Sequence, residues 1–429
     1  MSTLYKVDTL SLGDELLLGI RANAHLVYLG RELAQFGLPL RRALVLRDAP
    51  EEIRDGFLSC WKDADILITT GGLGPTDDDL TRETIAACLG RKLVHDMPSE
   101  VALRERFERF NRKPTANNLK QCYLIEGAEA IPNRFGTAPG QWLRDGQKVL
   151  IMLPGPVNEL QPMWRDQVLP RLKIEGLAEE IPAYLQLRTH GIGESQLETN
   201  LKPIIDRYPG RLSVAYCAHM GAVDVRLSAY GHSLSWQELE TIGSEMKAVL
   251  AEDFVDYGDR ELPEIILNLL RANDRTLAVA ESCTGGLLSS AFTDIPGASK
   301  VFMGGLVCYT NEIKEQVLDV PDCMIQQHGA VSGECAVAMA IGLAEKFGAD
   351  YALSISGFAG PGGGTEANPV GTVHIGLSSP FGVWSHKIAS PGNRLQVKER
   401  AVNGALDFLR RKLRKYEEKK EFVECLTLD

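Results

Sequence analysis

Residues 276–286 read Thr276-Leu-Ala-Val-Ala-Glu281-Ser282-Cys283-Thr284-Gly285-Gly286, and their order predicts the local fold. An apolar run ends, a small polar cluster follows, and two glycines lead into a helical pattern of apolar residues. We therefore expect a strand, a tight turn and a helix, with Ser282 at the turn. Because free backbone N–H groups and the helix dipole favour negative charge there, the Ser282 hydroxyl is either a nucleophile or, like Thr284, only a helix cap.

Length and composition indicate a soluble protein of several domains. The 429 residues exceed what one hydrophobic core usually holds, so two or three domains are expected. The formal net charge of −11 argues against broad binding of nucleic acid or anionic membranes. No apolar run is long enough to span a bilayer, and the first residues lack the apolar region of a signal peptide. Nine cysteines without a C-x-x-C pair indicate reduced thiols and a cytoplasmic location, with neither a disulfide framework nor a zinc site.

Strand and helix patterns alternate over residues 1–172, which predicts an α/β domain with a mostly parallel sheet. In such sheets the ligand binds beyond the carboxyl ends of the strands. The first three predicted strands end at Asp14 and Glu15, at Asp48, and at the loop 71–79. We expect these three acidic loops to converge on one edge of the sheet.

The loop 71–79 carries two kinds of binding group. Gly71, Gly72 and Gly74 allow the backbone to approach a phosphate closely, and Asp78 and Asp79 offer oxygen ligands to a divalent cation. The simpler interpretation is a glycine turn followed by an acidic helix start with a capping box. Glu159 follows a later buried strand and a Pro-Gly-Pro turn, so it either reaches the same edge or belongs to a structural helix start.

The remaining chain divides into two further domains. Residues 173–252 predict a small α+β domain, and the polar residues 253–262 predict a linker. Residues 263–415 alternate again between buried strands and helices, which predicts a second α/β domain. Residues 416–429 predict a charged tail.

A serine nucleophile in the last domain needs a base. His328 and His374 are candidates, but neither follows an obvious orienting carboxylate. Lys314 follows a predicted strand end at the right distance to meet Ser282 across adjacent strands, and a buried lysine of lowered pKa serves as a base. The simpler interpretation is a surface lysine. The glycine loop 360–364 and Arg394, at a predicted helix start, offer donors to a phosphate.

The first domain resembles the molybdopterin-binding fold family. Gly71-Gly72-x-Gly74 followed by Asp79-x-Thr81-x-Glu83 is similar to its signature loop, and Gly13-Asp14-Glu15-Leu16-Leu17-x-Gly19 narrows the likeness to the CinA branch, the competence/damage-inducible protein A family. This resemblance implies roles for Asp14, Glu15, Gly72, Asp78 and Asp79, and a divalent-metal-dependent hydrolysis of ADP-ribose. Leu73 replaces the threonine of the molybdenum-cofactor enzymes, which argues against molybdopterin itself.

The middle domain resembles a KH module, with a departure in the loop that binds nucleic acid. Gly191-Ile-Gly193-Glu194 differs from the usual G-x-x-G, and an acidic residue there repels phosphate. We therefore expect a structural or dimerising domain, and a homodimer that does not bind nucleic acid or membranes.

Four ordered motifs of the last domain resemble the C-terminal CinA domain, the PncC-type amidase. They are residues 280–286, Tyr309-x-Asn311-x-x-Lys314, residues 356–363 and Gly392-Asn393-Arg394. The family usually has Gly-Asp-Arg in the fourth motif, and we expect the asparagine to be tolerated because the arginine remains. The resemblance implies a Ser282–Lys314 dyad that converts nicotinamide mononucleotide to nicotinate mononucleotide without a cofactor. The implied oxyanion and substrate contacts are Cys283, Thr284, Gly285, Tyr309, Asn311, Ser356, Gly360, Gly362, Gly363 and Arg394.

Three hypotheses follow for the whole chain. The first is a bifunctional enzyme of pyridine nucleotide salvage, with a C-terminal deamidase and an N-terminal metal-dependent ADP-ribose pyrophosphatase. The second is a deamidase whose first domain only binds a nucleotide or pterin. The third is a non-enzymatic partner in competence or DNA repair, against which the acidic charge argues.

Overall fold

The first unit is built around a sheet that contains four parallel strands. The computed structural model describes residues 5–230 and 233–424, and it divides into two units, Met1–Tyr184 and Leu185–Asp429. Residues 425–429 of the predicted tail lie outside the described residues. Among the described residues, no helix has both the length and the apolar character needed to cross a membrane.

Among the described residues, the first unit contains eight strands and eight α-helices. The strands are β1 (Val7–Leu12), β2 (Leu40–Leu46), β3 (Ile66–Thr70), β4 (Leu93–His95), β5 (Tyr123–Ile125), β6 (Ala128–Ile131), β7 (Gly140–Asp145) and β8 (Lys148–Leu153). The helices are α1 (Asp14–Leu17), α2 (Ala24–Gln35), α3 (Pro50–Trp61), α4 (Thr81–Cys88), α5 (Met97–Arg109), α6 (Ala116–Leu119), α7 (Val157–Met163) and α8 (Leu169–Ile174).

The main sheet has the order β2-β1-β3-β8-β7-β6. Its first four strands are parallel, and β7 and β6 are antiparallel. Along β3, Ile66 and Ile68 pack in one core with Leu29, whereas Leu67 packs in another with Phe57. Since helices cover both faces, every residue of β3 is buried, which explains its continuous apolar run. The predicted α/β domain with a mostly parallel sheet is confirmed.

The second unit begins with a small antiparallel sheet. Its strands are β9 (Leu185–His190), β10 (Leu212–His219), β11 (Ala222–Ala229) and β12 (Phe254–Tyr257), in the order β10-β11-β9-β12, with helices α9 (Glu194–Ile205) and α10 (Trp236–Leu250). This confirms the α+β character of the middle region. The prediction of a polar linker is wrong for residues 254–257, because Phe254 and Val255 are buried and β12 pairs with β9.

A second α/β layer structure completes the chain. Its strands are β13 (Leu277–Glu281), β14 (Phe302–Val307), β15 (Tyr351–Gly357), β16 (Thr372–Ser379) and β17 (Gly382–Ala389). Its helices are α11 (Leu262–Ala272), α12 (Leu287–Thr293), α13 (Asn311–Leu318), α14 (Asp322–His328), α15 (Gly333–Phe347) and α16 (Arg394–Glu424). The sheet order is β14-β13-β15-β16-β17, with the first three strands parallel and β16–β17 an antiparallel hairpin.

Helix α16 holds the middle sheet through buried polar contacts. The guanidinium of Arg410 pairs with Asp407 at 2.6 Å and donates hydrogen bonds to the carbonyls of Phe254 (3.1 Å) and Glu252 (2.8 Å). Because Arg410 is buried, these bonds satisfy a charge that would otherwise be costly to desolvate.

Two helical glycines provide a matched test of how closely helices α13 and α15 pack. A Cβ at Gly342 of α15 would lie 1.8 Å from the carbonyl oxygen of Leu318, whereas one at Gly30 of α2 would meet only Leu40 Cδ1, at 3.6 Å. We expect Gly342→Ala to lower the free energy of unfolding by about 1–3 kcal/mol through overpacking. Gly30→Ala should raise it by roughly 0.5–1 kcal/mol through helix propensity. Urea-induced unfolding measures both, and a Gly342→Ala protein as stable as wild type would contradict the α13–α15 contact.

Candidate active site

The site of the second unit lies at the carboxyl ends of three parallel strands. Ser282 follows β13, and its N–H donates to the carbonyl of Ile355 in β15 at 2.9 Å. Cys308 follows β14, and its N–H donates to the carbonyl of Glu281 at 2.7 Å. Lys314 lies in the first turn of α13, a few residues further on. The adjacent strands thus bring Ser282 and Lys314 together, as their spacing predicts.

Glu281 caps helix α12, which follows the turn of residues 282–286. Its carboxylate is fully buried and accepts hydrogen bonds from the N–H groups of Gly286 (3.0 Å) and Leu288 (3.0 Å). It also accepts from the N–H (2.8 Å) and the hydroxyl (2.6 Å) of Ser289. The alternative in which Ser282 or Thr284 caps this helix is therefore wrong. Sequence reasoning missed Glu281, although an acidic residue just before a two-glycine turn is a usable signal.

Lys314 is a buried amine that touches the serine hydroxyl. Its side chain is 1 % exposed, and its Nζ lies 3.3 Å from Ser282 Oγ. The same Nζ lies 3.0, 3.4 and 3.5 Å from the carbonyl oxygens of Cys308, Tyr309 and Thr310. Burial lowers the pKa of Lys314 from its ordinary value of 10.5. The alternative of a surface lysine is wrong, and an amine with a depressed pKa faces the candidate nucleophile.

The two histidine candidates lie elsewhere. His328 Nδ1 is 3.7 Å from a carboxylate oxygen of Glu334, and His374 lies opposite Ser356 in the β15–β16 ladder. Neither side chain lines the cavity in front of Ser282. Lys314 is therefore the base candidate that the geometry supports.

A cavity of about 240 Å³ opens in front of Ser282 and Lys314. Seven predicted contact residues line it, namely Cys283, Tyr309, Asn311, Ser356, Gly360, Gly362 and Arg394. Three others do not, namely Thr284, Gly285 and Gly363. Thr284 is instead fully buried, and its hydroxyl has no hydrogen-bond partner among the described residues.

The backbone after Ser282 has unpaired donors, and Cys283, the first of these residues, lines the cavity. The N–H of Ser282 is used by the sheet, so it is not free for a ligand. The N–H groups of Cys283, Thr284 and Gly285 have no acceptor among the described residues. Unpaired N–H groups beside a nucleophile stabilise a developing oxyanion, which is a role that the sequence predicts for this segment.

Arg394 also lines the cavity. Its guanidinium donates to the carbonyl of Gly360 (2.6 Å) and to the hydroxyl of Tyr309 (3.1 Å). The preceding Asn393 accepts from the N–H of Gln396 (3.1 Å), and the Gln396 side chain accepts from the N–H of Asn393 (2.9 Å). Asn393 thus caps α16 as an aspartate would, which gives a physical reason for tolerating it in the fourth motif.

The acidic edge predicted for the first unit also forms. The N–H of Asp14 donates to the carboxylate of Asp48 at 3.2 Å. Burial raises the pKa of Asp48, and the negative charges of Asp14, Glu15 and Asp78 raise it further. The three loops therefore converge as expected.

The glycines of the loop 71–79 permit close backbone approach. A Cβ at Gly71 would lie 2.4 Å from the carbonyl of Leu12, and one at Gly72 would lie 1.9 Å from the Thr81 hydroxyl. Gly74 faces the Asp79 carboxylate in the same way, at 2.4 Å. These glycines serve the packing of the loop itself.

Asp78 and Asp79 do not form a ready metal centre. Asp79 accepts hydrogen bonds from the N–H (3.0 Å) and hydroxyl (2.5 Å) of Thr76. The part of the chain that the structure describes contains no group of three or more His, Cys, Asp or Glu side chains placed to hold a metal ion. The residues as they stand thus do not fit a divalent cation, and its binding stays a prediction.

Two further polar side chains have contacts that the sequence does not indicate. Glu159 accepts from the side-chain amide of Asn133 at 2.7 Å, and a Cβ at Gly136 would meet its carboxylate at 1.8 Å. This amide holds Glu159 against the 133–136 loop, and its role at the acidic edge stays a prediction. His25, which sequence reasoning missed, has its Nδ1 3.2 Å from the Thr70 hydroxyl, and burial lowers its pKa. A lone histidine in a helical pattern gives no signal of this position.

Three family profiles match consecutive parts of the chain. Residues 8–174 match a probable molybdopterin binding domain, residues 186–253 match the KH domain of damage-inducible protein CinA, and residues 259–413 match the CinA C-terminal domain.

Similar proteins extend over nearly the whole chain. A CinA-like protein of Dictyoglomus thermophilum is 40% identical over 410 residues, which are 95% of this chain and 99% of the relative. A putative competence-damage inducible protein of Thermoanaerobacter pseudethanolicus is 38% identical over 408 residues, 95% of this chain and 98% of the relative. The solved structure of a competence/damage inducible protein from Agrobacterium tumefaciens is 36% identical, with a TM-score of 0.35, and covers 35% of this chain and 93% of its own.

The buried amine predicts a pH dependence of stability. Since the pKa of Lys314 is lower in the folded state than its ordinary 10.5, the unfolded chain binds more protons between these two values. The free energy of unfolding should therefore rise with pH through this window, by at most about 1.4 kcal/mol per pH unit. Lys314→Met lacks this titration. Urea-induced unfolding of both proteins from about pH 7.5 to about pH 9.5 should show wild type gaining on the variant. A pH-independent difference would contradict the burial of the amine.

Proposed function

The chain belongs to the CinA family, and we propose that its C-terminal site hydrolyses the amide of nicotinamide mononucleotide to nicotinate mononucleotide and ammonia. The observation that carries this proposal is the 3.3 Å contact between the buried Lys314 amine and the Ser282 hydroxyl. Acyl transfer needs a nucleophile, a base and an oxyanion site, and the cavity at the end of β13 offers all three.

Lys314 acts as the base in its neutral form. Burial favours that form, which has two N–H hydrogens for the three surrounding carbonyls, of which that of Cys308 is nearest at 3.0 Å. The nitrogen lone pair is then free to accept the proton of the Ser282 hydroxyl. The carbonyls of Cys308, Tyr309 and Thr310 thus orient the base.

The reaction proceeds in two halves. Ser282 Oγ attacks the carboxamide carbon while Lys314 takes its proton, and the N–H of Cys283, which lines the cavity, binds the oxyanion. Lys314 then returns the proton to the amide nitrogen, which leaves as ammonia and forms an acyl-serine. Water, deprotonated by Lys314, attacks the acyl carbon, and Ser282 regains its proton as the carboxylate leaves.

The phosphate of the substrate binds at the other side of the cavity. Arg394 offers a charged donor there, beside the loop that contains Gly360 and Gly362. Arg394 has no carboxylate partner among the described residues, so its charge remains available to an anion. A mononucleotide has its amide and its phosphate at opposite ends, which suits this arrangement.

Ammonia release from nicotinamide mononucleotide tests the dyad. We expect Ser282→Ala to lower the rate by more than about 10³-fold, because the nucleophile is lost. Lys314→Met should lower it by roughly 10²–10⁴-fold through loss of the base. In wild type, kcat/KM should rise with pH until Lys314 is neutral, and this rise should be absent from the residual activity of Lys314→Met.

Ser290→Ala is the matched control. Ser290 lies on α12 and is exposed, so its hydroxyl should not affect the rate. Retention of most of the rate by Ser282→Ala, or an equal loss in Ser290→Ala, would refute the assignment.

A second candidate function, hydrolysis of ADP-ribose to AMP, concerns the first unit. It is favoured by the convergence of Asp14, Glu15 and Asp48 beside the glycine loop. Asp48, with its raised pKa, is suited to acid–base work. Because the described residues do not fit a metal ion, the proposal includes no step through one.

AMP release from ADP-ribose, with and without added divalent cation, tests this second activity. We expect Asp48→Asn to reduce AMP release by about 10²-fold or more, since the amide retains the hydrogen bond from Asp14 but does not exchange a proton. Asp63→Asn, an acidic residue just before β3, serves as the control with the same change in charge. Wild-type protein that releases no AMP under either condition would leave the first unit without this reaction.

A further inference from the structure

A second cation lies beside Arg394 on helix α16. Lys398 follows Arg394 by four residues, so the two side chains share one face of the helix, about 40° apart. A Cβ added to Gly285 would lie 3.8 Å from Lys398 Nζ. Lys398 therefore reaches the segment after Ser282, whose N–H groups have no acceptor among the described residues.

The charge of Lys398 is not balanced within the described part of the chain. No hydrogen bond or ion pair of its ammonium is found there, although the side chain is half-buried. A simpler interpretation is a lysine whose stem packs on the protein while its head reaches water. Arg394 is equally without a carboxylate partner among the described residues, however, so two adjacent cations lie on one face of α16 in a chain of net charge −11.

The two cations also act on a residue that lines the cavity, Cys283. Burial raises the pKa of the Cys283 thiol to about 11, and the positive charges of Arg394 and Lys398 oppose that rise. Arg394 lines the same cavity, and Lys398 lies about one helical turn further along α16.

We propose that Lys398 binds the substrate phosphate together with Arg394, and that this pair selects phosphorylated amides over the corresponding nucleosides. This inference rests on the proposed deamidase function. A phosphate monoester carries a charge of about −1.5 to −2 at neutral pH, which two cations match and one does not. Lys398 is thereby a specificity-determining residue that touches the phosphate and not the reacting carbonyl.

Binding measurements on the full-length Ser282→Ala protein test the proposal without turnover. The probes for isothermal titration are nicotinamide mononucleotide, ribose 5-phosphate and nicotinamide riboside. We expect Lys398→Gln to weaken binding of both phosphorylated probes by roughly ten- to hundredfold, the loss expected for a charged hydrogen bond. Binding of the riboside should be unchanged, and Lys398→Arg should restore most of the affinity for the phosphorylated probes.

Arg400→Gln is the matched control, because Arg400 lies on the same helix about 200° around its axis from Lys398. It removes the same charge and should leave all three affinities unchanged. In the active protein, Lys398→Gln should raise KM for nicotinamide mononucleotide by a similar factor and leave kcat within about twofold.

Several outcomes would overturn the proposal. These are an unchanged affinity for ribose 5-phosphate, no measurable binding of it by the Ser282→Ala protein, an equal loss for mononucleotide and riboside, or a lower kcat at constant KM. A wild-type protein that releases no ammonia, but binds ribose 5-phosphate through Lys398, would refute the deamidase and retain the anion site. Ammonia release that is indifferent to Lys398→Gln would do the reverse.

Discussion

The geometry of the turn that contains Ser282 depends on the hydrogen bonds to the buried carboxylate of Glu281. A carboxylate without water is costly to bury, and four hydrogen bonds from the first turn of α12 and its cap offset that cost. Because Glu281 is also the last residue of β13, these bonds fix the helix to the end of the strand. Because Glu281 caps the helix, the Ser282 hydroxyl is not needed as a cap. This hydroxyl and the N–H groups of residues 283–285 therefore stay available to a ligand.

The buried amine of Lys314 has a different physical basis. No carboxylate pairs with it among the described residues, and only carbonyl dipoles and the Ser282 hydroxyl surround its Nζ. Burial also raises the pKa of the neighbouring thiols of Cys308 and Cys335, so these thiols are protonated near neutral pH and bring no negative charge. Desolvation therefore outweighs the groups that favour the ammonium, and it lowers the pKa of Lys314 toward the neutral base. Burying the Lys314 amine lowers the stability of the fold at neutral pH and favours the neutral amine, a compromise that is common at active sites.

The two units have charged groups at equivalent positions of their sheets, but the charges are of opposite sign. In both, the groups lie beyond the carboxyl ends of parallel strands, where a sheet leaves backbone donors and loops open to a ligand. In the first unit, carboxylates gather, and their mutual repulsion and burial raise the pKa of Asp48. In the second, Arg394 and Lys398 gather beside unpaired N–H groups. The gathered carboxylates favour a shared proton, whereas the cationic cavity suits an anionic ligand directly.

Local sequence patterns predict the alternation of strands and helices and the loops that carry polar groups, whereas spacing left Lys314 open between a base and a surface lysine, and the family resemblance implied its pairing with Ser282. Local periodicity and turn residues were enough for the parallel strands, and adjacent parallel strands explain why distant loops meet. Tertiary structure alone decided the direction of individual side chains. It turned Glu159 toward Asn133, made Glu281 the helix cap, and brought Phe254 and Val255 into a sheet. These outcomes depend on contacts between residues far apart in the chain, and so does the burial that shifts the pKa of Lys314, which no local pattern records.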